Sequence, residues 1–86
     1  MTGIEELSMD FYQNGDFTRA AELFHQIVQA DKTNHKAWNA YGICLTKHGE
    51  YDVAAGCYEN AIRLDQGNRK YQKNFEINEK KRDQEK

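Results

Sequence analysis

Proline is absent from this chain of 86 residues, so its turns rest on glycine and polar residues. No stretch approaches the roughly 18 consecutive apolar residues of a membrane-spanning helix, and Met1-Thr2-Gly3-Ile4-Glu5-Glu6 has neither the basic start nor the apolar run of a signal peptide. A soluble, cytoplasmic protein with no membrane partner is expected. Cys44 and Cys57, the two cysteines, have no short Cys-x-x-Cys spacing and lie beside apolar helical stripes, which reads as buried thiols rather than a disulfide or metal site. His25, His35 and His48 include no pair at the i, i+4 spacing of a helical metal site. No base–nucleophile pair shares a helix face and no glycine loop could cradle a phosphate, so neither an enzyme nor a cofactor is expected.

Ten aromatic residues are present, and 30% of the residues are charged. A chain this short buries only about 60% of its unfolded surface, so one domain with a core built on large aromatic groups is expected. Its net charge of −2 hides a gradient: residues 1–34 carry two basic and six acidic side chains, for −4, residues 35–68 come to −1, and residues 69–86 to +3. Such a gradient can orient a charged ligand or favour head-to-tail contacts between copies, within a screening length of about 8 Å.

Apolar spacing predicts five helices. Thr2-Gly3-Ile4-Glu5 has the form of a capping box, and the stripe Ile4, Leu7, Phe11 runs to Asn14-Gly15, where glycine can take the left-handed conformation that ends a helix. Asp16 is placed to cap a second helix, about 17–31, with Ala20, Ala21, Phe24, Ile27 and Val28 inward, and Asn34 to cap a third, about 35–48. His48-Gly49 closes that helix, a fourth spans about 52–65, and Asn68 opens a fifth over about 69–85. The fifth keeps Tyr71, Phe75 and Ile77 as an apolar strip and then turns charged, leaving a solvated tail only beyond Arg82. The design repeats at 34 residues: Gly15 with Gly49, Ala20 with Ala54, Ala21 with Ala55, Asp31 with Asp65 and Asn34 with Asn68. These are break, contact and cap positions, so the match follows structural need.

Period, break and anchors resemble the tetratricopeptide repeat (TPR), most clearly in Trp38, Gly42, Ala54, Tyr58 and Ala61 of the second unit and less so in Ile4, Ser8 and Ile27 of the first. Lys32 and Gln66 stand where the family has its closing proline, which suggests softer turns between units. The resemblance implies an all-α TPR-like solenoid of antiparallel helix pairs over residues 1–86, with repeats at about 1–34 and 35–68 and a capping helix at about 69–85. Gly42 and Ser8 then sit where paired helices cross, while Trp38, Phe24 and Tyr58 fill the volume between units, so that truncating Trp38 to Ala costs about 3–5 kcal/mol.

Function follows from the same resemblance: a non-catalytic module whose concave groove binds a segment of another protein. Groove-facing positions are then Thr2, Glu5, Met9, Tyr12 and Gln13, followed by Lys36, Asn39, Ile43, Thr46 and Lys47, and finally Lys70, Lys73, Ile77, Lys80 and Lys81. Met9, Ile43 and Ile77 recur at the 34-residue step and would form an apolar line, with Lys36, Lys47, Lys70, Lys73 and Lys80 gathered toward one end. A partner offering apolar and acidic side chains fits that surface. The alternative is that the three apolar residues are the rim of a narrow core. The clamp with which some family members hold acidic chaperone tails is not expected, because Glu5, Met9, Ala40 and Asn74 occupy its places and only Lys70 agrees. The basic strip of the fifth helix is broken by Glu76, Glu79, Asp83 and Glu85, which argues against nucleic acid. A self-associating structural unit is the rival function, since Ile4, Leu7 and Phe11 have nothing before them in this sequence to pack on.

Overall fold

In the computed structural model, which describes residues 3–85, five helices follow one another: α1 (Gly3–Gln13), α2 (Phe17–Ala30), α3 (His35–Lys47), α4 (Tyr51–Leu64) and α5 (Arg69–Gln84). Each lies within a residue or so of its expected span. The capping box at Thr2 falls outside the described residues. Caps explain the other starts. Asp16 accepts from the Arg19 backbone N–H, Asn34 from that of Ala37, and Asn68 from those of Lys70 and Tyr71. Glu50 precedes α4 without a side-chain cap bond. None of the helices is long and apolar enough to cross a membrane.

The turns inside the two helix pairs are copies of one another. Gly15 (φ 80°) and Gly49 (φ 78°) are left-handed. The following residue donates back five positions in each, Asp16 N–H to the Phe11 carbonyl and Glu50 N–H to that of Leu45, both at 2.9 Å. A Cβ at Gly49 would meet nothing within 4 Å, so the demand there is purely conformational. Gly49→Ala should cost about 1–2 kcal/mol in urea unfolding. Gly56, helical and equally open, should instead become more stable by about 0.5–1 kcal/mol on the same change. Equal effects at the two sites would show that the left-handed turn sets no requirement.

Two buried clusters form the core. Ala20, Phe24, Ile27, Val28, Ala37 and Cys44 make the first, and Leu45, Ala54, Cys57 and Tyr58 the second. Trp38 and Tyr41 pack against both from partly buried positions, so α3 is the shared wall. Trp38 therefore differs from expectation: its indole N–H donates to the Lys32 carbonyl at 2.9 Å at a partly open site, and Tyr58, 2% exposed, is the largest fully enclosed side chain.

Consecutive helices pack on one another, and α3 also touches α5. Three polar contacts tie that second pair: His35 Nδ1 to Tyr71 Oη at 2.8 Å, Asn74 Nδ2 to Asn39 Oδ1 at 3.1 Å, and Thr46 Oγ1 to Asn78 Oδ1 at 2.8 Å. The apolar strip expected on α5 is corrected here. Asn78, fully buried, follows Tyr71 and Phe75 inward, and Ile77 is 41% exposed. Asn78 can take a core position because its amide also donates to the Tyr51 carbonyl at 2.9 Å, so that both its oxygen and its nitrogen are bonded. Arg82 ends the strip, bonded to Asp52 at 3.2 Å and Glu79 at 2.7 Å.

Candidate protein-binding groove

Residues at i, i+4 and i+7 share a helix face, and the faces of α1, α3 and α5 that carry Met9, Ile43 and Ile77 open on a row of three adjoining hollows. The first, about 210 Å³, lies between α1, α2 and α3 and is bounded by Glu5, Met9, Asn34 and Lys36 over Phe24, Ile27, Ala37 and Ala40. Next comes a hollow of about 390 Å³, which shares Met9, Lys36 and Ala40 with the first and adds Tyr12, Asn39, Ile43, Asn68, Lys70 and Tyr71. A third, about 330 Å³, shares Ile43 with the second and adds Thr46, Lys47, Tyr51, Tyr58, Asn74, Ile77 and Lys81. Because neighbours share walls, the three make one channel from α1 across α3 to α5.

Of the positions inferred from sequence, Glu5, Met9, Tyr12, Lys36, Asn39, Ile43, Thr46, Lys47, Lys70, Ile77 and Lys81 line this channel. Gln13, Lys73 and Lys80 are exposed and line none of the three hollows, and Thr2 lies outside the described residues. On α5 the reason is helical geometry. On α5 the helical stripe through Ile77 is Lys70, Asn74, Ile77 and Lys81, whereas the 34-residue step from Asn39 points one residue early, at Lys73. The i, i+4, i+7, i+11 spacing around Ile77 was the signal that would have found Asn74.

Charge on the channel is lopsided. Among the described residues the ion pairs join Asp16 with Arg19 and Arg82 with Asp52 and Glu79, while His35 Nδ1 lies 3.9 Å from Asp65 Oδ2. None of them involves a lysine, so Lys36, Lys47, Lys70 and Lys81 bring positive charge to the channel without an ion-pair partner among the described residues. Lys47 instead lies 5.7 Å over the Phe17 ring. Glu5, the one carboxylate on the channel walls among the described residues, accepts from Asn34 Nδ2 at 3.4 Å. Met9 and Ile77 are each 41% exposed, with Ile43 half-buried between them, so an apolar strip runs between the lysines.

Burial pushes the Cys44 and Cys57 thiols up to about 12, so both are protonated at neutral pH and poor nucleophiles or metal ligands. Among the described residues no group of three or more His, Cys, Asp or Glu side chains converges. Thr46, Tyr58 and Asn78 are bonded to one another and to the Gly42 and Tyr51 carbonyls.

Comparison with known proteins adds two findings. A family model described as the tetratricopeptide repeat matches residues 6–69. The chain is 33% identical over 54 residues to "N-alpha-acetyltransferase 16, NatA auxiliary subunit" of Mus musculus and to the Homo sapiens protein of the same name. It is 37% identical over 51 residues to the Arabidopsis thaliana "N-terminal acetyltransferase A complex auxiliary subunit NAA15". The matches cover 63%, 63% and 59% of this chain but only 6% of the length of each relative.

Proposed function

We propose, from the premise that this chain belongs to the tetratricopeptide repeat family, that it binds a segment of another protein in the channel formed by α1, α3 and α5. Repeats of this family mediate protein–protein interaction, ordinarily without catalysis. One observation carries the finer reading: Met9, Ile43 and Ile77 run through adjoining hollows whose lysines have no ion pair among the described residues. Apolar side chains of a partner would displace water from that strip, and acidic ones would meet the lysines. The reading takes residues 1–34 and 35–68 as repeats and 69–85 as their cap, with Glu5, Tyr12 and Asn39 as further contacts and no cofactor, nucleic acid or membrane. A cytoplasmic setting belongs to it, since two buried, unpaired thiols suit a reducing compartment. Because the relatives matched are auxiliary subunits by name, a supporting role in a larger assembly belongs to it as well.

Ile43→Glu is the direct test, because Ile43 lies where the second and third hollows meet. The variant, shown by circular dichroism to stay helical, should bind a blocked peptide of alternating leucine and acidic residues at least about tenfold more weakly than the unaltered chain. Unchanged affinity would remove the channel as the binding surface.

Self-association is the second reading, favoured by Ile4 and Leu7, which stand 40% and 46% exposed on one face of α1. A mass that grows with concentration in sedimentation and falls back with Leu7→Glu would support it. A monomer at every concentration would end it.

A further inference from the structure

One face of α1 stands apart from the channel. At about 100° per residue, positions round that helix run from the buried Ser8 through Ile4, Phe11 and Leu7 to Asp10 and Glu6, while Glu5, Met9 and Tyr12, which line the channel, lie on the other side of Ser8. Ile4 and Leu7 are exposed and Phe11 is half-buried. The patch extends onto α2, because the Arg19 guanidinium lies 5.7 Å over the Phe11 ring and the half-buried Leu23, four residues on, shares the face of Arg19. Apolar residues gathered in one patch, unlike scattered ones, mark a contact surface.

The molecule itself contains a covered counterpart of that face. A step of 34 residues takes Ile4, Leu7 and Phe11 to Trp38, Tyr41 and Leu45 on α3. Trp38 and Tyr41 pack against the cluster to which α2 gives Ala20, Phe24, Ile27 and Val28, and the Tyr41 ring lies 5.7 Å from that of His25 on the same helix. The element that covers this face in the second unit is therefore a helix. Charge decides what kind of helix suits the first. α1 carries Glu5, Glu6 and Asp10 and no lysine or arginine, and Glu6 and Asp10 form the outer rim of the patch. A copy of this chain offering its own α1 would bring the same carboxylates, whereas a helix with lysine or arginine beside its apolar stripe would pair with them. We propose that Ile4, Leu7, Phe11 and Leu23 form a second docking site, independent of the channel, for a basic amphipathic helix of another protein lying on α1 as α2 lies on α3.

Two end-blocked stapled helices of about fifteen residues, alike in a leucine stripe at i, i+3, i+4 and i+7 but flanked by lysine in one and glutamate in the other, test this by titration. The lysine helix should bind, and the glutamate helix at least about tenfold more weakly. Leu7→Gln should weaken the lysine helix about tenfold or more, while Ile43→Glu in the channel leaves it unchanged. Glu6→Lys/Asp10→Lys should reverse the preference between the probes, and because both residues are exposed this variant serves if Leu7→Gln loses its helical circular dichroism. Binding that Ile43→Glu abolishes and Leu7→Gln spares would place the helix in the channel and overturn the proposal. Equal binding of the two helices, binding of neither, or a dimer of the chain alone that Leu7→Gln dissolves, which would give the face to a second copy, would overturn it as well.

Discussion

Replacement of Tyr58 by Ala is expected to lower stability by about 3–5 kcal/mol. Domains of this size have only about 4–13 kcal/mol in total, so the midpoint of urea unfolding should fall by a large fraction. Tyr58 is 2% exposed, sits in the second core cluster and shares a hydrogen bond of 2.9 Å with Thr46 Oγ1. Burial pushes its phenol up to about 12, as befits a ring with little contact with water. Truncation therefore removes apolar burial and a hydrogen bond and leaves a cavity between α3 and α4. Tyr58→Phe, which keeps the ring, should cost only about 1 kcal/mol. Trp38→Ala is the informative control, since its ring is partly exposed and half supported by a single bond to the Lys32 carbonyl. A larger loss at Trp38 than at Tyr58 would contradict this account of the core.

Gly42→Ala is expected to cost about 1–3 kcal/mol even though alanine is the better helix former. A Cβ at Gly42 would stand 2.8 Å from Tyr58 Cε1 and 3.0 Å from Cδ1 and Cζ. The ring it strikes is enclosed and tethered through its hydroxyl, so relief requires α3 and α4 to move apart. The two sites should therefore couple: with Tyr58→Leu in place, Gly42→Ala should become neutral or stabilising, a difference of about 1–3 kcal/mol in a double-mutant cycle. Stabilisation by Gly42→Ala alone would show that the helices have slack at this crossing. In the first unit Ser8 stands at the equivalent place, fully buried, with its hydroxyl turned back onto the Ile4 carbonyl at 2.6 Å.

Much of this architecture can be read before any coordinates. Gly15 and Gly49 announce the two left-handed turns, and Asp16, Asn34 and Asn68 announce three caps, because backbone conformation and orphan N–H groups leave few other residues suited to those places. The tetratricopeptide repeat pattern in Trp38, Gly42, Ala54 and Tyr58 supplied the family, and the match over residues 6–69 agrees with it. Side-chain partnerships were harder. Asn78 looks like a surface residue by type, and only its position beside Thr46 and the Tyr51 carbonyl makes it a core residue. The Asn39–Asn74 pair was hidden for a related reason: it joins two helices at positions that are not equivalent in the repeat, so the 34-residue step does not point to it. Trp38 drew attention by size, although burial rather than size decides what a side chain contributes.

The order of packing bears on how the chain reaches its native state. Helices that meet chiefly their neighbours in sequence close short loops, which places the molecule among fast folders. The three polar ties between α3 and α5 are different, joining residues 36, 35 and 32 positions apart. Closing those loops costs more chain entropy than closing the short turns within either helix pair, so the ties are expected to form after the pairs have collapsed. The α3–α5 side of the channel is thus expected to be the last part of the molecule to be assembled.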